Sequence, residues 1–150
     1  MIKLIRTNSS NPDFISLVKQ LDRYLAVVDG EEHAFYDQFN QIVNINHTIV
    51  AYLDEQPVAC GAIKAFEPHT MEVKRMYTTT ESRGQGLATQ VLTALEHWAL
   101  EMGYQKCVLE TGKRQQDAVA LYQKNGYQLI PNYGQYVAIA NSVCFEKVLT

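Results

Sequence analysis

A chain of 150 residues, 47% of them hydrophobic, has room for one domain around a continuous buried core. Its formal net charge of -3, with thirteen scattered basic residues, sets up no field for a polyanion and argues against nucleic acid as a direct partner. The opening Met1-Ile2-Lys3-Leu4-Ile5-Arg6 lacks the apolar stretch of a signal peptide, and no run approaches the roughly 20 apolar residues of a membrane span, so a cytoplasmic protein without membrane contact is expected.

Ile2 to Arg6 alternates apolar and polar residues and reads as a first strand. Asn11 can cap a helix that has Pro12 in its first position, and Phe14, Leu17, Val18, Leu21 and Leu25 recur at helical spacing until Asp29-Gly30. Ala34, Phe35, Phe39 and Ile42 predict a second, short helix over Glu31 to Val43. His47 to Leu53 and Pro57 to Phe66 read as a hairpin turning at Asp54-Glu55-Gln56-Pro57. After Glu67-Pro68-His69, Met71 to Thr79 is a third antiparallel strand. Leu87, Val91, Leu92, Leu95, Ala99 and Met102 then form the apolar stripe of a helix that Gly103 ends. Lys106 to Glu110 reads as a strand, Thr111-Gly112-Lys113 as a turn, and Gln115 to Lys124 as a helix stopped by Gly126. Tyr127 to Ile130 and Asn141 to Leu149 close the chain as strands around the turn-rich Pro131-Asn132-Tyr133-Gly134 loop. This order predicts one α/β domain over residues 1–150, with a mostly antiparallel sheet of six to seven strands and helices on both faces. Cys60, Cys107 and Cys144 lie far apart in apolar runs, which points to buried reduced thiols, and no histidine or cysteine spacing calls for a metal.

The stretch Arg83-Gly84-Gln85-Gly86-Leu87-Ala88 sits between the third strand of the meander and the long helix. Backbone N–H groups at a helix start lack intrahelical partners, and glycines let a phosphate approach them closely. A P-loop is ruled out because Gly112-Lys113 is followed by Arg114 and has no glycine five residues upstream. A dinucleotide fingerprint is ruled out because Thr89 stands where its third glycine belongs and the turn is reached through an antiparallel meander.

Glu72 to Thr79, then Arg83 to Ala88 and a long helix, then Leu121-Tyr122-Gln123-Lys124-Asn125-Gly126-Tyr127, resembles the GNAT superfamily of acetyl-CoA-dependent N-acetyltransferases over nearly the whole chain. The resemblance implies a sheet splayed into a CoA-binding cleft, with Met76, Tyr77 and Thr78 pairing their backbone with the pantetheine arm. It implies that the amides of Gly84, Gln85, Gly86, Leu87 and Ala88 wrap the pyrophosphate at the positive end of the helix dipole. Arg83 either adds charge there or points to solvent, and Thr89 either offers its hydroxyl or is an ordinary first-turn residue. Gln115 stands where many members have an asparagine touching the pantetheine, and Lys124 either approaches the 3′-phosphate or is solvated. Tyr122 matches the tyrosine that protonates the departing thiolate, a phenol with an ordinary pKa of about 10 and so a donor at neutral pH.

On the acceptor side, Glu72 matches the glutamate base of the histone-acetylating branch, and Glu110 or an ordered water is the alternative. Strand alternation puts Glu72 on the face of Lys74 and Met76 unless a bulge intervenes, and an ion pair with Lys74 across a neighbouring strand is the bland reading. The family's acceptor walls correspond to Glu32, His33, Tyr36, Tyr133 and Tyr136 with Arg75, a mixture suited to a small polar amine, including an amino acid whose carboxylate meets Arg75. His33 and His69 otherwise face solvent. The resemblance thus implies direct acetyl transfer to a small amine in a ternary complex. Rival readings are a non-catalytic acyl-CoA sensor and a protein or peptide N-acetyltransferase; an edge strand near the C-terminus would allow a homodimer.

Overall fold

The computed structural model describes residues 1–30 and 44–150, and the helix expected over Glu31 to Val43 lies outside the described residues. Strand β1 (Ile2–Thr7) leads to α1 (Pro12–Asp29). Asn11 Oδ1 accepts from the N–H groups of Asp13 and Phe14 at 2.8 and 3.0 Å, which satisfies two donors the helix itself cannot, and Pro12 occupies the first turn. The apolar face of α1 packs Phe14, Leu17 and Val18 against Val50, Cys60 and Ala62.

Strands β2 (His47–Leu53) and β3 (Gln56–Glu67) form the expected hairpin, but its turn is tighter than the sequence suggested. Asp54 and Glu55 alone make it, with φ of 49° and 70°, the positive-φ pair that suits the twist of a two-residue hairpin. Pro57 belongs to β3 opposite Tyr52, beside a bulge and near the strand start, where a missing N–H costs little. Strand β4 (Thr70–Thr78) runs antiparallel to β3, and α2 (Leu87–Glu101) follows. Strand β5 (Lys106–Gly112) is two residues longer than expected, because Thr111 and Gly112 continue pairing with Val143 and Ser142. Helix α3 (Gln116–Lys124) and strands β6 (Gln128–Ile130) and β7 (Ser142–Val148) complete the chain. Tyr127, expected in a strand, caps the end of α3 instead, its N–H donating to Tyr122 O at 3.0 Å.

The sheet order is β1-β2-β3-β4-β5-β7-β6, with β4 and β5 its parallel pair. Alternation sends Val50, Cys60 and Ala62 toward α1, whereas Ile49, Ala51, Ala59 and Ile63 join Leu87, Val91, Leu92, Leu95 and Ala99 of α2. Residues of α3 pack into the α2 cluster, so helices cover both faces.

Two irregularities open this sheet. Between Cys60↔Tyr77 and Ala62↔Lys74, Gly61 faces two residues of β4, and Arg75 of that bulge has φ 60°. Strands β4 and β5 pair only through Thr70–Glu72 against Lys106–Val108, and beyond that they part. Gly61 has no spare room: a Cβ would lie 2.5 Å from Met76 Sδ, 2.8 Å from Leu95 Cδ1 and 3.0 Å from Val91 Cγ1. Gly61→Ala is therefore expected to destabilise the fold by about 1–3 kcal/mol through overpacking. Thermal unfolding checks this, and an unchanged Tm would mean that α2 yields without cost. Among the described residues, no helix is long and apolar enough to cross a membrane. Cys60, Cys107 and Cys144 are all buried free thiols; burial pushes Cys60 up to about 12 against the smaller opposing pull of the Arg75 charge.

Candidate active site

The parting of β4 and β5 leaves a cleft of about 450 Å³ between β4, the start of α2 and helix α3. Met76, Tyr77, Thr78, Arg83, Gly84, Gly86, Leu87, Ala88, Thr89, Gln115, Tyr122 and Lys124 line it, all of them expected cofactor residues. Gln85 is exposed and is not part of the lining. Ser82, Asp117, Ala118 and Leu121 also line it, as do Tyr24 and Leu21 of α1, which were not anticipated because only tertiary packing brings α1 to this cleft.

The turn has the geometry its glycines predicted. Gly84 and Gly86 have φ of 82° and 76°, and Gly86 is the N-cap of α2 with no side-chain cap. The first helical bond runs from Gln90 N–H to Gly86 O at 3.1 Å, which leaves the N–H groups of Leu87, Ala88 and Thr89 ahead of the ladder, at the positive end of the dipole. Leu87 keeps its side chain in the core at 1% exposure, so it meets the cleft through its backbone. Thr78 Oγ1 is buried and has no hydrogen-bond partner among the described residues, a polar atom on the β4 wall suited to a hydrogen-bonding ligand.

Arg83 is exposed at the rim of the cleft. Its Nε donates to Thr78 O at 3.2 Å and its guanidinium carbon lies 5.1 Å from the Tyr24 ring centroid and 5.9 Å from that of Tyr77, so the charge folds back over two aromatic faces. The Thr89 hydroxyl accepts from Asn125 Nδ2 at 3.3 Å, and the same Nδ2 donates to Leu121 O at 2.8 Å, tying the start of α2 to the end of α3. Gln115 is the N-cap residue of α3 and lines two cavities.

The second cavity, about 100 Å³, opens beyond the β4 bulge. It brings together Glu72, Lys74, Arg75, Glu110 and Tyr136 and shares Leu21, Met76, Gln115, Ala118 and Tyr122 with the larger cleft. Tyr122 therefore stands where the two cavities meet. Burial, and after it the negative charge of Glu110, push its hydroxyl well above the ordinary phenol range.

Glu72 is 8% exposed and accepts from Tyr133 Oη at 2.6 Å, while Lys74 Nζ lies 3.5 Å from its other oxygen. That partner is on the same strand, two residues along, not on a neighbouring strand as the bland reading had it. The bulge also changes the parity beyond Lys74: Arg75 faces α1, with its Nη1 3.8 Å from Asp22 Oδ1, and Met76 turns to the α2 side. Met76 thus does not share the face of Glu72. Glu110 accepts from Ser142 Oγ at 2.7 Å. Burial first, then Glu72, raises the Tyr133 hydroxyl, whose ring packs 4.8 Å from Phe66 and 5.9 Å from Tyr136. Asn132 Nδ2, which sequence reasoning passed over as a turn residue, pins this loop by donating to the carbonyls of Tyr136, Ile139 and Ser142 at 3.0–3.2 Å. Glu32, His33 and Tyr36 lie outside the described residues, and His69 is exposed.

A profile of the acetyltransferase (GNAT) family matches residues 14–127, a span that contains the turn, the β4 bulge and Tyr122. The chain belongs to that family. Among GNAT relatives, an IAA acetyltransferase of Azospirillum brasilense is 29% identical over 150 residues, covering 99% of this chain and 98% of that protein. A solved structure from Klebsiella pneumoniae, assigned as an acyl-CoA N-acyltransferase, is 30% identical and superposes with a TM-score of 0.84 over 100% of this chain and 99% of the other. A GNAT acetyltransferase of Elizabethkingia anophelis, solved with acetyl-CoA bound, shares the fold at 18% identity, with a TM-score of 0.71 over 99% of this chain and 98% of that one.

Proposed function

We propose that this chain transfers the acetyl group of acetyl-CoA to the primary amine of a small polar molecule, by direct attack within a ternary complex. The observation that carries this reading is the position of Tyr122 at the junction of the two cavities. Acetyl-CoA, bound in a relative of the same fold, supplies an acetyl thioester when it is seated. The α2 amides and the Gly84–Gly86 turn would hold its pyrophosphate, and the open side of β4 at Met76, Tyr77 and Thr78 would take the pantetheine.

On the acceptor side, Glu72, directly or through a water, takes a proton from the incoming ammonium, whose ordinary pKa near 10.4 would otherwise keep it protonated. The Met76 N–H, beside the bulge, polarises the thioester carbonyl, and Tyr122 returns a proton to the departing sulfur. Glu110 is the competing base; it lies close enough to Tyr122 for its charge to be felt there. A cavity of about 100 Å³ walled by Tyr136 and by Glu72, which Tyr133 holds from outside the lining, suits a small molecule better than a peptide. Paired cations and carboxylates suit a polar, amino-acid-like one.

The test is a panel of amines, amino acids, polyamines and peptides with acetyl-CoA, following thiol release. Turnover is expected with a small polar amine. Peptide turnover alone would move the reading to a protein acetyltransferase, and CoA binding with no turnover would leave an acyl-CoA sensor.

A further inference from the structure

The end of α3 carries a second buried tyrosine that the mechanism above does not use. Tyr127 is 3% exposed and follows Gly126, whose φ of 89° ends the helix. Its N–H donates to Tyr122 O at 3.0 Å and the N–H of Gly126 donates to Gln123 O at 3.2 Å, the paired bonds of a Schellman cap. In such a cap the residue after the glycine rests on the side chain five positions back, and here that side chain is Tyr122. The two rings meet edge to face with centroids 5.8 Å apart.

What holds Tyr127 lies on another helix. Its hydroxyl donates to Glu96 Oε2 at 2.9 Å, and Lys147 Nζ of β7 lies 2.9 Å from Glu96 Oε1. Glu96 is 6% exposed on the buried side of α2, a costly place for a carboxylate unless each oxygen is paired. Lys147 also stands over the Tyr127 ring, 5.8 Å from its centroid. Position 127 therefore joins three elements, α2, α3 and β7, and touches the residue at the junction of the cavities.

We propose that Tyr127, anchored by Glu96 and Lys147, is a positioning residue that fixes the Tyr122 ring at the meeting point of the donor and acceptor cavities. The proposal rests on Tyr122 serving as the acid only for its kinetic consequence; the geometric claim stands apart. Removing the Tyr127 hydroxyl leaves both rings and the cap bonds in place but releases the ring edge from α2. The Tyr122 hydroxyl would then sample positions off the reacting sulfur, and misplacement of about 1 Å can cost on the order of a hundredfold in rate.

The experiment uses full-length protein carrying ring-13C tyrosine, in which the Tyr122 signal is identified as the one absent from Tyr122→Phe. In Tyr127→Phe and Glu96→Ala, that signal is expected to shift or broaden while those of Tyr52 and Tyr77 stay put. The kcat should fall about tenfold or more, with the acetyl-CoA KM within about twofold. Glu96→Gln, which keeps an oxygen acceptor for the Tyr127 hydroxyl, should restore both readouts toward wild type. An unmoved Tyr122 signal in Tyr127→Phe overturns the proposal, as does a shift of every tyrosine together, which would mark a general loosening of the fold. A displaced Tyr122 signal with unchanged kcat supports the positioning role and removes Tyr122 as the acid.

Discussion

Tyr122→Phe is expected to lower kcat by about 10²–10³-fold while leaving the acetyl-CoA KM nearly unchanged, the signature of a lost proton donor. The substitution deletes one oxygen and keeps the ring against Tyr127 and Phe145, whose centroids lie 5.8 and 6.4 Å away, so the helix end and the donor wall should survive. The pH profile adds a second check. Burial, reinforced by Glu110, raises the Tyr122 pKa above the ordinary value of about 10, so the folded protein keeps this proton where a free phenol would release it. The wild-type rate should therefore rise as the acceptor amine loses its proton, with no fall near pH 10 from ionisation of Tyr122. The same sign governs stability. Below pH ~10 folded and unfolded states both hold the phenolic proton; above it the unfolded chain gives it up first, so stability declines as pH rises toward the folded value. Steady-state kinetics across pH decide the matter. A Tyr122→Phe enzyme with wild-type kcat would pass the acid role to another group.

How much of this was legible in the residues follows from how local each cause is. Asn11-Pro12, the stripe from Leu87 to Ala99, and the glycines at 84, 86 and 126 act through their own backbone or nearest turn, and the structure has them as read. The bulge at Arg75 is different. Nothing in Glu72 to Thr78 announces it, because it depends on Gly61 across the strand and on how closely Val91 and Leu95 press there. That cross-strand contact breaks the simple alternation and puts Arg75 toward α1 and Met76 toward α2. Asn132 looked like an ordinary turn residue, since its three carbonyl partners come together only when the loop folds over β7. Arg83 was read as a charge either beside an anion or in solvent, and neither reading foresaw that Tyr24, distant in sequence, offers it an aromatic face. The Gly84–Gly86 turn was legible because a helix start and two glycines create it locally; of the smaller cavity, Glu72, Arg75, Glu110 and Tyr136 were named, but Leu21 of α1 and the bulge that turns Arg75 were not, because only the packing of α1, β4, β5 and a late loop brings them together.

Gly86→Val is the complementary test, since it should fall on binding and not on chemistry. At φ 76° a β-branched residue is badly accommodated, at a cost of roughly 1–2 kcal/mol, although no atom lies within 4 Å of the added Cβ. The fold should absorb that strain with a modest drop in Tm. The larger consequence is at the cleft, where the new methyl groups would stand between the Leu87, Ala88 and Thr89 amides and a pyrophosphate that must approach them closely. The acetyl-CoA KM and the calorimetric Kd for CoA should each rise at least about tenfold, equivalent to about 1.4 kcal/mol, while kcat at saturating donor stays within a few-fold of wild type. This opposes the Tyr122→Phe pattern, in which kcat moves and KM does not. Were Gly86→Val to bind CoA normally, the turn would not be the pyrophosphate cradle, and the donor would have to lie along β4 without the help of the α2 dipole.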